Sequence, residues 1–258
     1  MFETTILAVL QGIAEFLPIS SSGHLVLGRE LLGLGDVGMR LDVFLHVGTL
    51  IAVFAFYRKV IGRILSRFEW RYMLKIALSA VPAGIVGVFF NERIEAAFSS
   101  PALVGGALMF TGLVLTLTRF LPRGDRDVST GRALLMGVAQ SVAILPGVSR
   151  SGMTLAAARA SGVEAEKSAE FSFLMSAPPI AGAALLEILH GLGRYGADVA
   201  TKAEVGWGLC AFGAVLAAVV GYLSLGLLLK SLKGRWFWLF GPYCLAAGYV
   251  TLMLIWRT

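Results

Sequence analysis

Two short polar stretches in an otherwise apolar sequence carry the side chains that could do chemistry. The first, at 16–25, reads FLPISSSGHL, and the second, at 145–155, reads LPGVSRSGMTL. Serine and threonine hydroxyls, one histidine and one arginine fall within these stretches, and Glu15 directly precedes the first. Ionisable groups are costly within a membrane and are usually functional there. The two stretches are therefore the candidate functional site.

A helix that begins at such a Ser/Gly break directs free backbone N–H groups and the positive end of its dipole towards an anion. Hydroxyls add donors, and the guanidinium of Arg150 matches phosphate oxygens. The alternative is that the serines only cap helices or mediate helix packing. The residues that we expect to bind the anion beside Arg150 are Ser20, Ser22, Gly23, Gln140, Gly147, Ser149, Ser151, Gly152 and Thr154.

The first stretch also has the groups that could react. Glu15 lies one helical turn after Gln11, and their oxygens are hard ligands suited to Mg²⁺ or Ca²⁺ shared with phosphate. His24 follows Ser21 by three residues, a spacing that can bring imidazole near hydroxyl for nucleophile activation or proton transfer. No aspartate nearby completes a triad, so Ser21, His24 and water all stay open as the nucleophile.

Composition predicts an integral membrane protein. The 258 residues are 57% hydrophobic and 15% charged, and the mean hydropathy is +0.79. About six stretches are long enough to cross a bilayer: 41–57, 73–90, 102–121, 169–190, 205–229 and 237–256. The net charge of +6 comes from short loops between spans, which favours membrane topology over nucleic-acid binding. By the positive-inside rule, the loops with Arg58 to Lys75, Arg119 to Arg132 and Lys230 to Arg235 are cytoplasmic.

Two further segments, 1–35 and 131–163, are interrupted and predict re-entrant helical hairpins. They look alike, because setting Gly23 over Gly152 also places Gln11 over Gln140. We therefore predict an all-α polytopic membrane protein, a single membrane domain over 1–258. Its halves, about 1–125 and 126–258, would form an inverted-topology repeat with both breaks facing one enclosed pocket at the midplane.

Assembled in this way, the motifs QGIAEFLPISSSGH at 11–24 and LPGVSRSGMT at 145–154 closely resemble the undecaprenyl-diphosphatase family of the bacitracin-resistance type. The resemblance covers nearly the whole chain. It implies a divalent-cation-dependent phosphatase of the bacterial inner membrane that releases the carrier lipid for peptidoglycan and other cell-wall polymers. It also implies that Glu15 assists metal binding, that Ser21 and His24 act at the reacting phosphorus, and that Arg150 holds the diphosphate.

The resemblance implies Glu or Gln at the first position of the acidic motif, and this chain has Gln11 there. With one carboxylate fewer, the metal affinity and the ion preference are open. The expected partners are a polyprenyl diphosphate and membrane lipid, with a homodimer possible, and the pocket should open to the periplasmic side. The competing hypotheses are a lipid-phosphate flippase that uses the same midplane site and, less specifically, an anion channel.

Two other groups of polar residues have open roles. Asp42 and His46, four apart at the start of a span, either support the site or only satisfy the helix start. Tyr243, near Trp236 and Trp238, fits an interfacial aromatic belt.

Overall fold

The computed structural model describes residues 1–31, 39–194 and 205–256. These ranges are helical apart from turns and one isolated bridge between Arg126 and Val163. The helices are α1 Phe2–Ala14, α2 Ser21–Leu31, α3 Met39–Phe56, α4 Arg58–Ser66, α5 Trp70–Phe89, α6 Asn91–Phe98, α7 Pro101–Leu117, α8 Thr130–Val142, α9 Arg150–Ala160, α10 Ala165–Arg194, α11 Trp207–Lys233 and α12 Phe240–Ile255.

Several of these helices are suited to cross a membrane. In the described residues, four helices are long and apolar enough: α5, α7, α11 and α12, with α7 and α12 each counted together with a short flanking turn. α3 with α4, bent by 69°, makes up to five. Large apolar side chains face outward, with Val88 79% and Phe120 78% exposed. Such a surface would be unfavourable in water and is favourable in lipid. The prediction of an all-α polytopic membrane protein is confirmed.

The count of six spans stays a prediction. Five of the predicted spans coincide with α3, α5, α7, α11 and α12. The sixth, 169–190, falls within α10, where the side chains from 186 onward lie outside the described residues.

Each predicted interruption is a break between two short helices. The break at 15–20 separates α1 from α2, and the break at 143–149 separates α8 from α9. These four helices have 11 to 13 residues, or about 16–20 Å at 1.5 Å per residue, whereas a bilayer core is about 30 Å thick. None of them crosses a bilayer alone. The last residues of the first predicted hairpin, 32–35, lie outside the described residues.

Longer helices pack around the two broken segments. α11 packs against α1 and α5 against α8, while α7 pairs with α12 and α3 with α10. If the two halves of the chain are exchanged, the α1–α11 pair takes the place of the α8–α5 pair. The α7–α12 pair and the α3–α10 pair each map onto themselves. The inverted orientation and the boundary near residue 125 stay predictions.

Small residues allow these helices to approach closely. A Cβ atom added at Gly48 of α3 would lie 2.2 Å from the carbonyl oxygen of Ala214 in α11. Close backbone approach through glycine is typical of helix packing in lipid, where the hydrophobic effect does not drive association.

Apolar residues anchor the first break in the core. Phe16 and Ile19 are buried, and the ring of Phe16 packs edge-on against Phe173 of α10 with centroids 5.5 Å apart. Leu155 of α9 belongs to the same buried cluster. The apolar members of the FLPI sequence therefore hold the break in place, while its polar members are left to form the site.

Candidate active site

Each of the two breaks ends in a helix cap of the same type. The Ser20 hydroxyl accepts a hydrogen bond from the Gly23 backbone N–H at 3.3 Å, and the Ser149 hydroxyl accepts one from the Gly152 N–H at 3.1 Å. Each capping serine also has a second serine hydroxyl nearby, Ser22 at 3.4 Å in the first break and Ser151 at 3.3 Å in the second. Ser20 and Ser149 therefore cap the helices that follow them, and their role in anion binding stays a prediction.

Each break contains one residue in the left-handed backbone region, Ser20 with φ 72° and Gly147 with φ 92°. This conformation is uncommon for a residue other than glycine and occurs mostly where function or tight packing requires it. At Gly147 a Cβ atom would also lie 2.5 Å from the carbonyl oxygen of Val104, so the second break has no room for a side chain there.

The two breaks are in direct contact, as predicted. The Ser151 hydroxyl donates to the carbonyl oxygen of Leu17 at 3.3 Å. A Cβ atom built on Gly23 would lie 3.1 Å from the Cα of Gly147. The N-terminal ends of α2 and α9 therefore lie side by side.

The helices α7 and α12, which pack against each other, each support one of the two breaks. The Thr111 hydroxyl of α7 donates to the carbonyl oxygen of Gly147 at 3.1 Å and accepts from the Ser149 N–H at 3.0 Å. The Cys244 thiol of α12 lies 3.6 Å from the carbonyl oxygen of Pro18. Irregular backbone within a membrane needs such partners because lipid offers none.

Glu15 lies at the centre of the site. Its Oε1 accepts from Arg150 Nη2 at 2.5 Å, and its Oε2 accepts from the Ser21 hydroxyl at 2.7 Å and from Gln11 Nε2 at 3.1 Å. Its side chain is 6% exposed and that of Arg150 is 19% exposed. An ion pair across two chain segments therefore connects the carboxylate of the first break with the cation of the second.

The imidazole of His24 forms hydrogen bonds with groups other than the Ser21 hydroxyl, the partner expected from the sequence. Its Nδ1 lies 2.9 Å from the carbonyl oxygen of Ser20, which can only accept, so Nδ1 carries the proton. Its Nε2 accepts from the Tyr243 hydroxyl at 2.8 Å. The expected contact with the Ser21 hydroxyl is not formed, because one helical turn directs the imidazole back to the cap carbonyl and Ser21 donates to Glu15.

Two contributors to the site were not assigned from sequence. Tyr243, considered an interfacial aromatic residue, is 219 positions from His24 and stacks on its ring with centroids 5.7 Å apart. His46 donates from Nδ1 to the Asp42 carbonyl oxygen at 2.9 Å and places Nε2 4.0 Å from Glu15 Oε2. The carboxylate of Asp42 pairs instead with Arg29. Only the spacing of four residues hinted at His46, and nothing marked Tyr243.

Three other predicted binding residues have internal partners, and a fourth, Gln140, has no hydrogen bond among the described residues. Ser149, Ser151 and Thr154 are buried, and the Thr154 hydroxyl lies 2.6 Å from that of Ser172. Gln140, the repeat counterpart of Gln11, is buried with neither amide atom hydrogen-bonded in the described part of the chain. The contacts therefore bring Glu15, Ser21, Arg150 and Gln11 together and leave Gln140 without a contact to them.

The oxygen atoms around Glu15 are candidate ligands for a divalent cation. The buried Gln11 Oε1 has no partner among the described residues, and it lies on the side chain that already contacts Glu15. The same residues contain no group of three His, Cys, Asp or Glu side chains that could hold a metal. One carboxylate and one amide oxygen fit Mg²⁺ or Ca²⁺ when phosphate oxygens supply the other ligands.

Fold and site together define a class: a polytopic helical membrane protein with a charged, hydroxyl-rich site where two broken helices meet. The chain matches the family described as "Bacitracin resistance protein BacA" over residues 4–250. The chain therefore belongs to this family, as its two motifs predict.

Curated relatives match along nearly their whole length. An undecaprenyl-diphosphatase of Desulforapulum autotrophicum is 36% identical over 278 residues, with 98% of each chain covered. One of Pelotomaculum thermopropionicum is 39% identical, covering 98% of this chain and 96% of the relative. One of Halothermothrix orenii is 38% identical, with 98% of each covered.

Proposed function

We propose that this protein hydrolyses undecaprenyl diphosphate to undecaprenyl phosphate and inorganic phosphate. This activity returns the lipid carrier to peptidoglycan and cell-wall polymer synthesis and confers resistance to bacitracin. The family and the names of the relatives support it. The observation that carries it is the carboxylate of Glu15, which holds a serine hydroxyl and a guanidinium at once.

We propose that substrate binding begins with an exchange at Arg150. The guanidinium leaves Glu15 and takes phosphate oxygens, for which its planar fork is suited. The backbone N–H groups at the starts of α2 and α9 and the hydroxyl of Ser22 face the same anion. The polyprenyl chain lies along the apolar helix surfaces.

In the proposed reaction, the Ser21 oxygen attacks the terminal phosphorus. Its proton passes to Glu15 Oε2, to which the hydroxyl already donates at 2.7 Å. The bond from the terminal phosphorus to the bridging oxygen breaks and undecaprenyl phosphate leaves. Water then attacks the phosphoserine and releases phosphate. Positive charge around the transferring group supplies most of the lowering of the barrier.

His24 and water remain alternatives to Ser21 as the nucleophile. For His24 to attack from Nε2, its hydrogen bond with the Tyr243 hydroxyl must open first. Ser21 needs no such rearrangement to transfer its proton, and this contact favours Glu15, rather than His24, as the base.

We propose that a divalent cation, Mg²⁺ or Ca²⁺, binds at Glu15 and Gln11 together with the phosphates. Such an ion would neutralise phosphate charge during transfer. The buried Gln11 oxygen, which has no hydrogen-bond partner in the described ranges, supports this assignment.

We also propose the bacterial inner membrane as the location, with the basic loops in the cytoplasm, the pocket open to the periplasmic side, and a homodimer as a possible assembly. The charged loops support the orientation. The second and third basic loops lie together at one end of the fold, where Arg123 donates to the carbonyl oxygen of Lys233 at 3.1 Å.

The test is phosphate release from farnesyl diphosphate by the detergent-purified protein, with and without a chelator. We expect metal-dependent release that Arg150→Ala abolishes. No metal-dependent release, or intact release by Arg150→Ala, would contradict the proposal. In proteoliposomes, accelerated lipid movement between leaflets without any phosphate release would favour the flippase hypothesis.

A further inference from the structure

A second cationic site lies at the end of α9 that is remote from Arg150. A cavity of about 370 Å³ opens between the loop that follows α7, the C-terminal half of α9, the start of α10 and the end of α11. Its charged lining consists of Arg123, Arg159, Glu164, Glu166 and Lys233, and we name it the basic cavity. Arg159 of this cavity follows Arg150 by nine residues in α9, or about 14 Å along the helix axis.

Each carboxylate of the basic cavity already has a lysine partner. Glu166 forms an ion pair with Lys233, and Glu164 lies 2.9 Å from the ammonium group of Lys167, which also pairs with Asp127 at 2.6 Å. The two acidic side chains therefore do not compensate the arginines in the same cavity.

The arginines of the cavity contact only backbone oxygens in the described residues. Arg159 donates from Nη2 to the carbonyl oxygen of Leu121 at 3.3 Å, and its buried Nε has no hydrogen-bond partner in the part of the chain that the structure describes. Arg123 donates to the carbonyl oxygen of Lys233. Arg123 and Arg235 are close enough for their positive charges to act on Arg159. Cations gathered in this way without a counter-ion repel each other, and an anion relieves the repulsion.

The rest of the lining indicates the kind of anion. Leu155, Val163 and Leu232 form an apolar wall next to the two guanidinium groups. Arginine forks match phosphate oxygens, and an apolar wall suits the first carbons of a lipid. We propose that the basic cavity binds a phosphate group, supplied either by a lipid headgroup or by free phosphate. This site is separate from the hydrolytic site and does not depend on the proposed reaction.

The test is equilibrium dialysis of radiolabelled inorganic phosphate against the full-length protein in detergent. The background variant is Arg150→Ala, which removes the cation of the catalytic break. We expect this variant to retain one phosphate site, and we expect adding Arg123→Gln with Arg159→Gln to raise its Kd about tenfold or more. Arg58→Gln is the matched control and should leave the Kd unchanged, because within the described ranges Arg58 also donates only to a backbone oxygen, that of Ala55.

Two further arms complete the test. Arg159→Lys in the Arg150→Ala background keeps the charge but loses the planar fork. Its Kd for phosphate should therefore lie between that of Arg150→Ala and that of the variant with Arg123→Gln and Arg159→Gln. A single symmetric elution peak in size-exclusion chromatography shows that each variant is folded. In nanodiscs, phosphatidic acid that displaces the labelled phosphate identifies a lipid headgroup as the occupant, and no displacement identifies free phosphate. Absence of phosphate binding in Arg150→Ala, or an unchanged Kd in the Arg123/Arg159 variant, would overturn the proposal.

Discussion

The two breaks share the same type of helix cap and carry opposite charge. In both, a serine caps the following helix by accepting from the N–H of a glycine three residues on, at 3.3 Å and 3.1 Å. The helix then begins at Ser21 in the first break and at Arg150 in the second. Both of these equivalent residues reach the same carboxylate, Glu15.

The features that support the backbone are therefore distinct from the groups that take part in the reaction. The cap, the left-handed residue and the neighbouring supporting helix occur twice, so they serve the backbone. The carboxylate, the reactive hydroxyl and the imidazole occur only in the first break, and the permanent cation occurs only in the second. A single site needs both breaks because each supplies a charge that the other lacks.

The largest expected effect comes from Ser21→Ala. If the first break carries the nucleophile, phosphate release should fall about 10³-fold or more, because no hydroxyl remains to donate to Glu15. Initial rates on farnesyl diphosphate measure this. Ser141→Ala is the control and should change the rate less than about twofold, since among the described residues that exposed hydroxyl donates only to the Val138 carbonyl oxygen. Near-normal activity of Ser21→Ala would place the nucleophile elsewhere.

The second break is tested by Arg150→Lys. Lysine keeps the charge but not the planar fork, so kcat/KM should fall about 10²-fold while the protein still folds. Steady-state kinetics and thermal unfolding together measure both effects. Arg150→Ala should also lower stability by about 3 kcal/mol or more, because Glu15 would then be buried without its partner. Equal rates for the lysine and wild-type proteins would show that only charge matters there.

The two glutamines compare the breaks directly. Gln11 donates to Glu15 at 3.1 Å, whereas the Gln140 amide has no hydrogen bond in the described residues. Gln11→Leu should therefore lower the rate about tenfold and weaken activation by Mg²⁺, and Gln140→Leu should change it less than about threefold. Rates across a Mg²⁺ titration measure the difference. A larger effect at Gln140 would bring that residue into substrate binding, as its sequence position predicts.

The smallest expected effect is that of Tyr243→Phe. The ring stacking on His24 is kept and only the hydrogen bond to Nε2 is lost, so the rate should fall about fivefold or less. A pH profile of kcat should also shift, because the freed imidazole titrates differently. Tyr249→Phe, an exposed tyrosine on the same helix, is the matched control. Identical profiles for the two variants would exclude a positioning role for Tyr243.

Much of the fold could be predicted from sequence because lipid imposes simple rules. Apolar length predicted helices at all six proposed spans, and the Ser/Gly/Pro runs predicted both breaks. The repeated pattern brought Gly23 and Gly152 to equivalent caps. These features follow from local sequence and from the cost of unsatisfied backbone in a bilayer.

Side-chain pairing in the site could be predicted only in part. Glu15 and Arg150 were both expected in the site, but their direct ion pair depends on how α1 and α9 pack. The sequence spacing favoured His24 as the partner of Ser21, yet the cap carbonyl of Ser20 and the distant Tyr243 take the imidazole. Contacts between residues far apart in sequence have no periodic signal, so Tyr243 and Thr111 were visible only in the folded chain.

The most direct test of the proposed division of roles is to trap and locate a phospho-enzyme. Rapid acid and alkaline quenching during turnover of labelled farnesyl diphosphate, followed by peptide mass spectrometry, distinguishes phosphoserine from phosphohistidine. The account predicts an acid-stable phosphate on Ser21 that Ser21→Ala removes. Phosphate on His24, or turnover without any phospho-enzyme when its formation is faster than its hydrolysis, would contradict it.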